Sequence, residues 1–414
     1  MSEAVSFLSR AELNSERRGL RRKRWISLLL AFPVLAFIVL IFAAPITSML
    51  YRSVYNPVLA ELIPQTLEQL EAWGDSPLPP DAAYATLAGE LKVLAVNRQA
   101  GQLAAAVNRA WPGASSLINS TARKMRTIDA DTLAREGTLH LRSADARWQD
   151  PGLWRAIRAV GSIYTLDHYL TALDLERNES GAIQQRDSAR IYLQLYGKSL
   201  EIALTITALC LLLGYPLAYY LAHAPRRIAG ALMVLVLLPF WTSFLVRTTA
   251  WIALLQANGV INSTLQALGF TSAPLELLYT RYATVLAMTH VLLPFMILPL
   301  YSVMRGIDPS YFRAAISLGS RPWAAFVRVY LPMTLPGLSA GALLVFIVSV
   351  GYYIIPALVG GTDGQMISNI IAFHMQRSNN WGLAAALGAL LLALILVLYW
   401  LYDRLVGTQH IKLG

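Results

Sequence analysis

Six long apolar runs constrain this chain more than any other feature. They are Trp25–Leu50, Ser199–Ala222, Ala229–Leu255, Ala283–Val303, Leu335–Val359 and Leu383–Leu405. Each has at least about 20 residues, enough for a helix to cross a roughly 30 Å hydrocarbon core at about 1.5 Å rise per residue. Leucine and alanine dominate, without the alternation of a barrel strand, so the runs predict helices. Charged residues make up only 14% of the chain, against about a quarter in soluble domains. The expected fold is an all-α polytopic membrane protein with six transmembrane helices.

Charge sets the orientation. With the N-terminus placed in the cytoplasm, the inner segments are Met1–Arg24, the loop at Arg226 and Arg227, the stretch from Arg305 to Arg328, and the tail from Asp403. They hold 15 Lys/Arg and 5 Asp/Glu, which accounts for the whole net charge of +10. That bias predicts cytoplasmic N- and C-termini. It reads as a topology signal and an attraction to anionic membrane lipid, not as a nucleic-acid footprint. The first run follows a basic segment but exceeds the 7–15 residues of a signal-peptide core, so it reads as an uncleaved anchor.

The expected organisation is a basic N-terminus (1–24), a first span (25–50), an external insert (51–196), a core of five spans (197–405) and a tail (406–414). The insert is nearly neutral, with 15 basic and 16 acidic residues. Its Ala- and Leu-rich stretches "LEQLEAW", "YATLAGELKVLAVNRQAGQLAAAVNRAW" and "DTLAREGTLHLRS" predict helices, and "GDSPLPPD" a loop. "DPGLWRAIRAVGS" predicts a helix with Asp150 as N-cap and Pro151 in its first turn. Two external connections are shorter. Ala257–Tyr279 carries a turn and a partial helix, and Gly360–Asn380 a short amphipathic helix at the membrane surface.

Several motifs lead nowhere. "YGKS", Tyr196 to Ser199, lacks the phosphate-loop glycine five residues before Gly197, where Tyr192 stands. Cys210 is the sole cysteine and lies in the second run, so no internal disulfide forms. The six histidines are scattered, with no metal-binding spacing. The sequons at Asn119, Asn178 and Asn262 are three-residue coincidences. No nucleophile–base set is visible, so no catalytic residue is assigned.

The basic stretch before the fifth run is different, because its parts agree. Asp308 and Pro309 suit a helix start, and Tyr311 to Leu318 gives about two turns. Gly319 fits the left-handed residue that ends a helix. Ser320 then suits the cap of a second helix beginning near Pro322, and Pro332 and Pro336 re-aim the chain into the fifth span. Phe312, Ile316 and Phe326 supply apolar knobs. Two readings fit this elbow: a capped surface helix pair, or a docking surface for a cytosolic protein.

"AAISLGSRPWAAFVRVYLPMTLPG" resembles the coupling-loop signature of ATP-binding-cassette importer permeases. Ala314, Ala315, Gly319, Val329, Leu331 and Pro332 fall in its register. "LPFWTSFLVRTTAWIALLQANGVIN" and "SVGYYIIPALVGG" resemble regions of the spermidine/putrescine-type members. The resemblance covers roughly Leu195 to the C-terminus and the first span. It implies a type I importer permease fold in a bacterial inner membrane and one half of a translocation pathway for a small organic solute, polyamine-like or amino-containing. It further implies a cytosolic ATPase dimer, a second permease subunit, as in a heterodimer, and a periplasmic solute-binding protein. ATP and magnesium would then sit on the ATPase, and this chain would hold no cofactor. The coupling loop (305–332) would act through Arg313, Ala314, Ala315, Leu318, Gly319, Ser320, Phe326, Leu331 and Pro332. Arg313 replaces the signature's glutamate, a charge reversal. Tyr352 stands where polyamine-type relatives often carry an acidic residue, which weakens the case for a dication. The insert exceeds the family's usual first loop.

Residues expected along the pathway are Trp241, Arg247, Trp251, Tyr352 and Tyr353. For Arg247 two readings are open: it lines an outer vestibule and meets a carboxylate, or it snorkels to headgroups or pairs internally. For the aromatics the choice is between a wall facing the solute and an interfacial belt. Glu201 reads as an interfacial acid and His290 as a hydrogen-bonded packing residue. Two rival functions are a secondary transporter, which needs a buried carboxylate relay the runs do not contain, and a membrane sensor or assembly protein whose external domain binds a ligand.

Overall fold

A computed structural model describes residues 27, 29–74, 76–177, 182–186 and 190–406. The basic segment 1–24, the start of the first run, the sequon at Asn178 and residues 407–414 lie outside the described residues. Among the described residues six helical segments are long and apolar enough to cross a membrane: Leu29–Val54, Tyr192–His223, Phe244–Ala267, Arg281–Gly306, Pro322–Gly351 and Trp381–Arg404. They are called spans 1 to 6 below.

Two boundaries differ from expectation. The third run is not one helix. Arg226–Trp241 ends soon after the internal Pro239, and a new helix, Phe244–Leu255, begins after Ser243, whose backbone is extended in ψ (137°). Thr242 turns its hydroxyl back onto the Pro239 carbonyl (3.1 Å), holding the break. The fifth run also divides. Span 5 begins at Pro322, ends at Gly351, and is followed by a separate helix, Ile354–Val359. Pro332 therefore does not break the chain. A π-turn over Phe326–Tyr330 precedes it, with Leu331 N–H reaching back to Phe326 O. That wider turn accommodates a ring that otherwise collides with the carbonyl four residues earlier.

Spans 2, 4 and 5 form the centre of the membrane core. Close approach of spans 4 and 5 depends on missing side chains. A Cβ at Gly337 would stand 2.9 Å from the Pro299 carbonyl, and one at Gly341 would stand 3.0 Å from Met296 Sδ. With apolar lipid outside, such close packing is a main source of helix association. Span 6 packs on span 1 and on the helix Ile367–Gln376.

The insert is a helical domain with its own core. Its helices are Val58–Leu62, Pro64–Glu71, Asp81–Val96, Ala100–Ala110, Ala114–Arg126, Ala130–Ala144, Pro151–Val160 and Asp167–Ala172. Asp150 accepts from Gly152 N–H at 2.7 Å and caps its helix as expected. Trp148, Trp154 and Tyr84 fill the centre, with both tryptophans fully buried. Their polar atoms are paired: Trp154 Nε1 donates to Trp148 O (2.8 Å), and Trp148 Nε1 to Thr121 Oγ1 (3.0 Å). Sequence patterning missed the hairpin Leu175–Arg177/Ile183–Gln185, which is too short to show a period.

Among the contacts that seat the insert on the membrane core, three stand at the ends of spans 1 and 2. Tyr55 bridges Tyr164, closing the domain's two ends together. Ser53 Oγ meets Tyr169 Oη at 2.7 Å. The buried Asp174 carboxylate accepts from Tyr192 N–H (3.2 Å) and Leu193 N–H (2.8 Å), satisfying free donors at the start of span 2.

Candidate functional site

The elbow joins spans 4 and 5. Asp308 accepts from Ser310 N–H at 2.8 Å and starts the helix Pro309–Ser317. That bond holds its carboxyl below the usual carboxylate range. The helix ends with Gly319 N–H on Ile316 O (2.9 Å) and Ser320 N–H on Ala315 O (3.1 Å). Gly319 sits at φ +93°, the left-handed conformation this paired termination requires. Ser320 does not cap the next helix. Arg321 occupies that position, with Pro322 in the first turn, and Ser320 is used up closing the first helix.

The two faces of the elbow differ. Outward, no residue of Pro309–Ser317 is buried, and Leu318 and Trp323 are 86% and 75% exposed. Tyr311 and Ile316 are exposed beside them, as are Arg313, Ala314 and Arg321, with Ala315 half-buried. Inward, Phe326 is half-buried, stacked on Tyr330 and edge-on to Tyr215 and Tyr219 of span 2. Arg305 Nη1 donates to Ala222 O (3.0 Å), and Tyr215 Oη meets Thr334 Oγ1 (3.2 Å). Phe326 is therefore an anchor to span 2 and not an outward knob. Leu331 and Pro332 lie in the continuous helix behind it. The anchors Tyr215 and Tyr219 were not selected from sequence, although their four-residue spacing places them on one helix face.

The second region lies where the third and fifth runs break. A cavity of about 180 Å³ is lined by Pro239, Phe240, Arg247, Val291, Leu292, Phe295, Val348 and Tyr352. Arg247 lies in the first turns of Phe244–Leu255, half-buried, with its Nε sequestered and without a hydrogen-bond partner. The break in the third run places it there. Phe244 faces Tyr352 at 6.0 Å between ring centres. Of the other expected pathway residues, Trp251 donates to His290 Nδ1 (3.2 Å), as the packing role of His290 anticipates. Trp241 is 71% exposed, and Tyr353 is also exposed, so neither lines this cavity.

The helix Ile367–Gln376 does not lie on the membrane surface along its whole length. Its first turn is buried, and Ser368 Oγ and Asn369 Nδ2 donate to the Tyr352 and Tyr353 carbonyls, both at 2.7 Å. These bonds satisfy the backbone exposed by the break in the fifth run. Glu201 pairs with Arg281 at 2.8 Å near the insert-side ends of spans 2 and 4. Among the described residues no group of three His, Cys, Asp or Glu could hold a metal ion.

Residues 214–408 match the family described as binding-protein-dependent transport system inner membrane component. The spermidine/putrescine transport system permease protein PotB of Salmonella typhimurium (strain LT2) is 33% identical over 253 residues, covering 60% of this chain and 83% of that protein. The chain belongs to the spermidine/putrescine permease family of ABC importers. The PotB of Haemophilus influenzae is 36% identical over 222 residues, covering 53% of this chain and 78% of its own. A solved bacterial ABC transporter involved in import of the acidic polysaccharide alginate is 17% identical, with a TM-score of 0.43 over 58% of this chain and 82% of that one.

Membership settles the class of function. The chain is an inner-membrane permease subunit of an importer whose small solute is delivered by a periplasmic binding protein and whose energy comes from a cytosolic ATPase. ATP is hydrolysed on that separate subunit. The matched segment includes the elbow and the cavity, and the insert lies outside it.

Proposed function

We propose that the elbow is the part of this chain gripped by the ATPase dimer, and that Arg313, Ala314, Ala315, Leu318, Gly319 and Ser320 lie in or beside that contact. Phe326, Leu331 and Pro332 carry its motion into span 5. The observation that carries this reading is the exposure of Leu318 and Trp323 on a helix pair whose other face is anchored to span 2. Exposed apolar side chains grouped around arginines mark a docking surface. The elbow lies at the end of spans 4 and 5 opposite the insert, with both termini on its side, in the cytoplasm.

A second permease subunit completes the pathway in a heterodimer. Arg247 and Tyr352 face the solute on this chain's side, and Trp251 supports them. The solute is a small amino-containing organic compound, a reading supported by the spermidine/putrescine relatives. ATP and magnesium bind the partner ATPase. The insert contacts the binding protein or the partner permease. The test is to purify the chain with its neighbouring ATPase in detergent, with and without residues 309–323. The ATPase co-purifies with the full chain and is lost from the deletion. Retention by the deletion would move the contact elsewhere.

A further inference from the structure

The solute cavity is built around one unneutralised cation. Arg247 is the charged residue among the eight that line it; the others are apolar or aromatic except for the Tyr352 hydroxyl. Its Nε is sequestered without a partner. Val291 and Phe295 lie ten and fourteen residues past Arg281, about 15–21 Å along span 4. The cavity is therefore deep in the membrane, where an ionisable group is costly and marks a solute path.

Among the described residues no carboxylate lines the cavity to offset that charge. Within the described spans the acids are Glu201, paired with Arg281, and Asp403 at the opposite end of span 6 from its start at Trp381. Asp363, near the external end of span 4, lies 3.6 Å from Lys198. His290 accepts a hydrogen bond from the Trp251 N–H at Nδ1, so that nitrogen carries no proton and the ring adds no negative charge. An arginine fork matches a carboxylate with two parallel hydrogen bonds. A cavity with this lining repels a simple diamine at its centre. The faces of Phe240, Phe295 and Tyr352 give an ammonium group a place at the rim. About 180 Å³ equals roughly six water molecules, which is room for a short chain.

We infer that the transported solute carries a carboxylate that docks on Arg247, making it a small amino carboxylate and not a plain polyamine. This rests on the permease reading above and adds an anionic group that spermidine and putrescine lack.

The test uses the complete importer in proteoliposomes with its binding protein. The probes are matched pairs of equal chain length: 3-aminopropanoate to 6-aminohexanoate against the corresponding α,ω-diamines. ATP hydrolysis and uptake are followed for the wild type, Arg247→Gln and Arg247→Lys. At least one amino carboxylate should drive both in the wild type. Its uptake should fall about thirtyfold or more in Arg247→Gln and recover in part in Arg247→Lys, with co-purification of all subunits unchanged. Stimulation by diamines alone would overturn the carboxylate assignment while leaving the permease reading intact. So would an Arg247→Gln variant with normal uptake, or one equally impaired toward both classes, since either makes Arg247 a structural group. No stimulation by any probe would refute the short amino carboxylate. Loss of ATPase co-purification with the wild-type permease, measured on the same samples, would instead count against the elbow contact proposed above.

Discussion

Leu318 separates folding from docking more cleanly than any other residue of the elbow. It is 86% exposed and follows a helix none of whose residues is buried. Leu318→Ala should therefore change the stability of the chain by no more than about 0.5 kcal/mol. Fully burying a leucine contributes about 1.5–3 kcal/mol. With 86% of the residue still uncovered, docking stands to gain roughly 1.3–2.6 kcal/mol from it. The ATPase should then bind the variant about eight- to seventyfold more weakly. The assay is a titration of the ATPase against the permease in nanodiscs, with thermal unfolding of the same samples as the control. Phe326→Ala supplies the contrast. Phe326 is half-buried against Tyr215, Tyr219 and Tyr330, so its loss should lower thermal stability first. Equal ATPase affinity for wild type and Leu318→Ala would refute the idea that this face is gripped.

Other outcomes follow from the same geometry. Gly319→Val forces a branched side chain to φ +93°; no atom lies near its Cβ, so expression should persist while substrate-stimulated ATP hydrolysis is lost, and normal coupling would remove the elbow from the mechanism. Trp154→Ala should destabilise the insert by about 3–5 kcal/mol, seen as a lower unfolding midpoint or as cleavage by added protease between spans 1 and 2. Asp145 is held at about 2 by Arg147, below the usual unfolded value near 3.9; its contribution to stability is complete above about pH 4 and is lost as pH falls through about 2, so Asp145→Asn should flatten the acid limb of the unfolding profile in that window. Deleting 59–186 should reduce uptake, and unchanged affinity and rate would dispose of a docking role for the insert.

The membrane architecture was legible because its signals are long. Twenty apolar residues leave few alternatives to a span, and the elbow combined two prolines, an N-cap and a glycine at fixed offsets. The breaks were not legible. Nothing in the local composition of "PFWTSF" shows that the third run stops at Trp241, since proline is tolerated within helices elsewhere in the chain, as at Pro216 and Pro294. The break after Gly351 depends on Ser368 and Asn369, sixteen residues away in sequence from the carbonyls they satisfy. The cavity followed from both breaks, so Arg247 and Tyr352 were named from sequence while Phe240, Phe295 and Val291 were not. The capping of span 2 by Asp174, eighteen residues upstream of Tyr192, was beyond local patterning for the same reason.

Span 5 connects the two regions of interest directly. It runs from Pro322 to Gly351 without interruption, about 45 Å of helix. The elbow is at one end and Tyr352 of the cavity is the next residue at the other. Near the elbow it is tied to span 2 by the aromatic cluster and by Tyr215 on Thr334. At the far end the carbonyls of Tyr352 and Tyr353 are held by the helix Ile367–Gln376. On the proposed reading, a pull at Leu318 and Trp323 moves a stiff rod whose other end lies beside Arg247. The π-turn at Phe326–Tyr330 is its one irregular segment, and stacking of Phe326 on Tyr330 stiffens it there. On that reading the rod switches between two packed arrangements of these clamps, which is how a small motion at an interface becomes a switch of access.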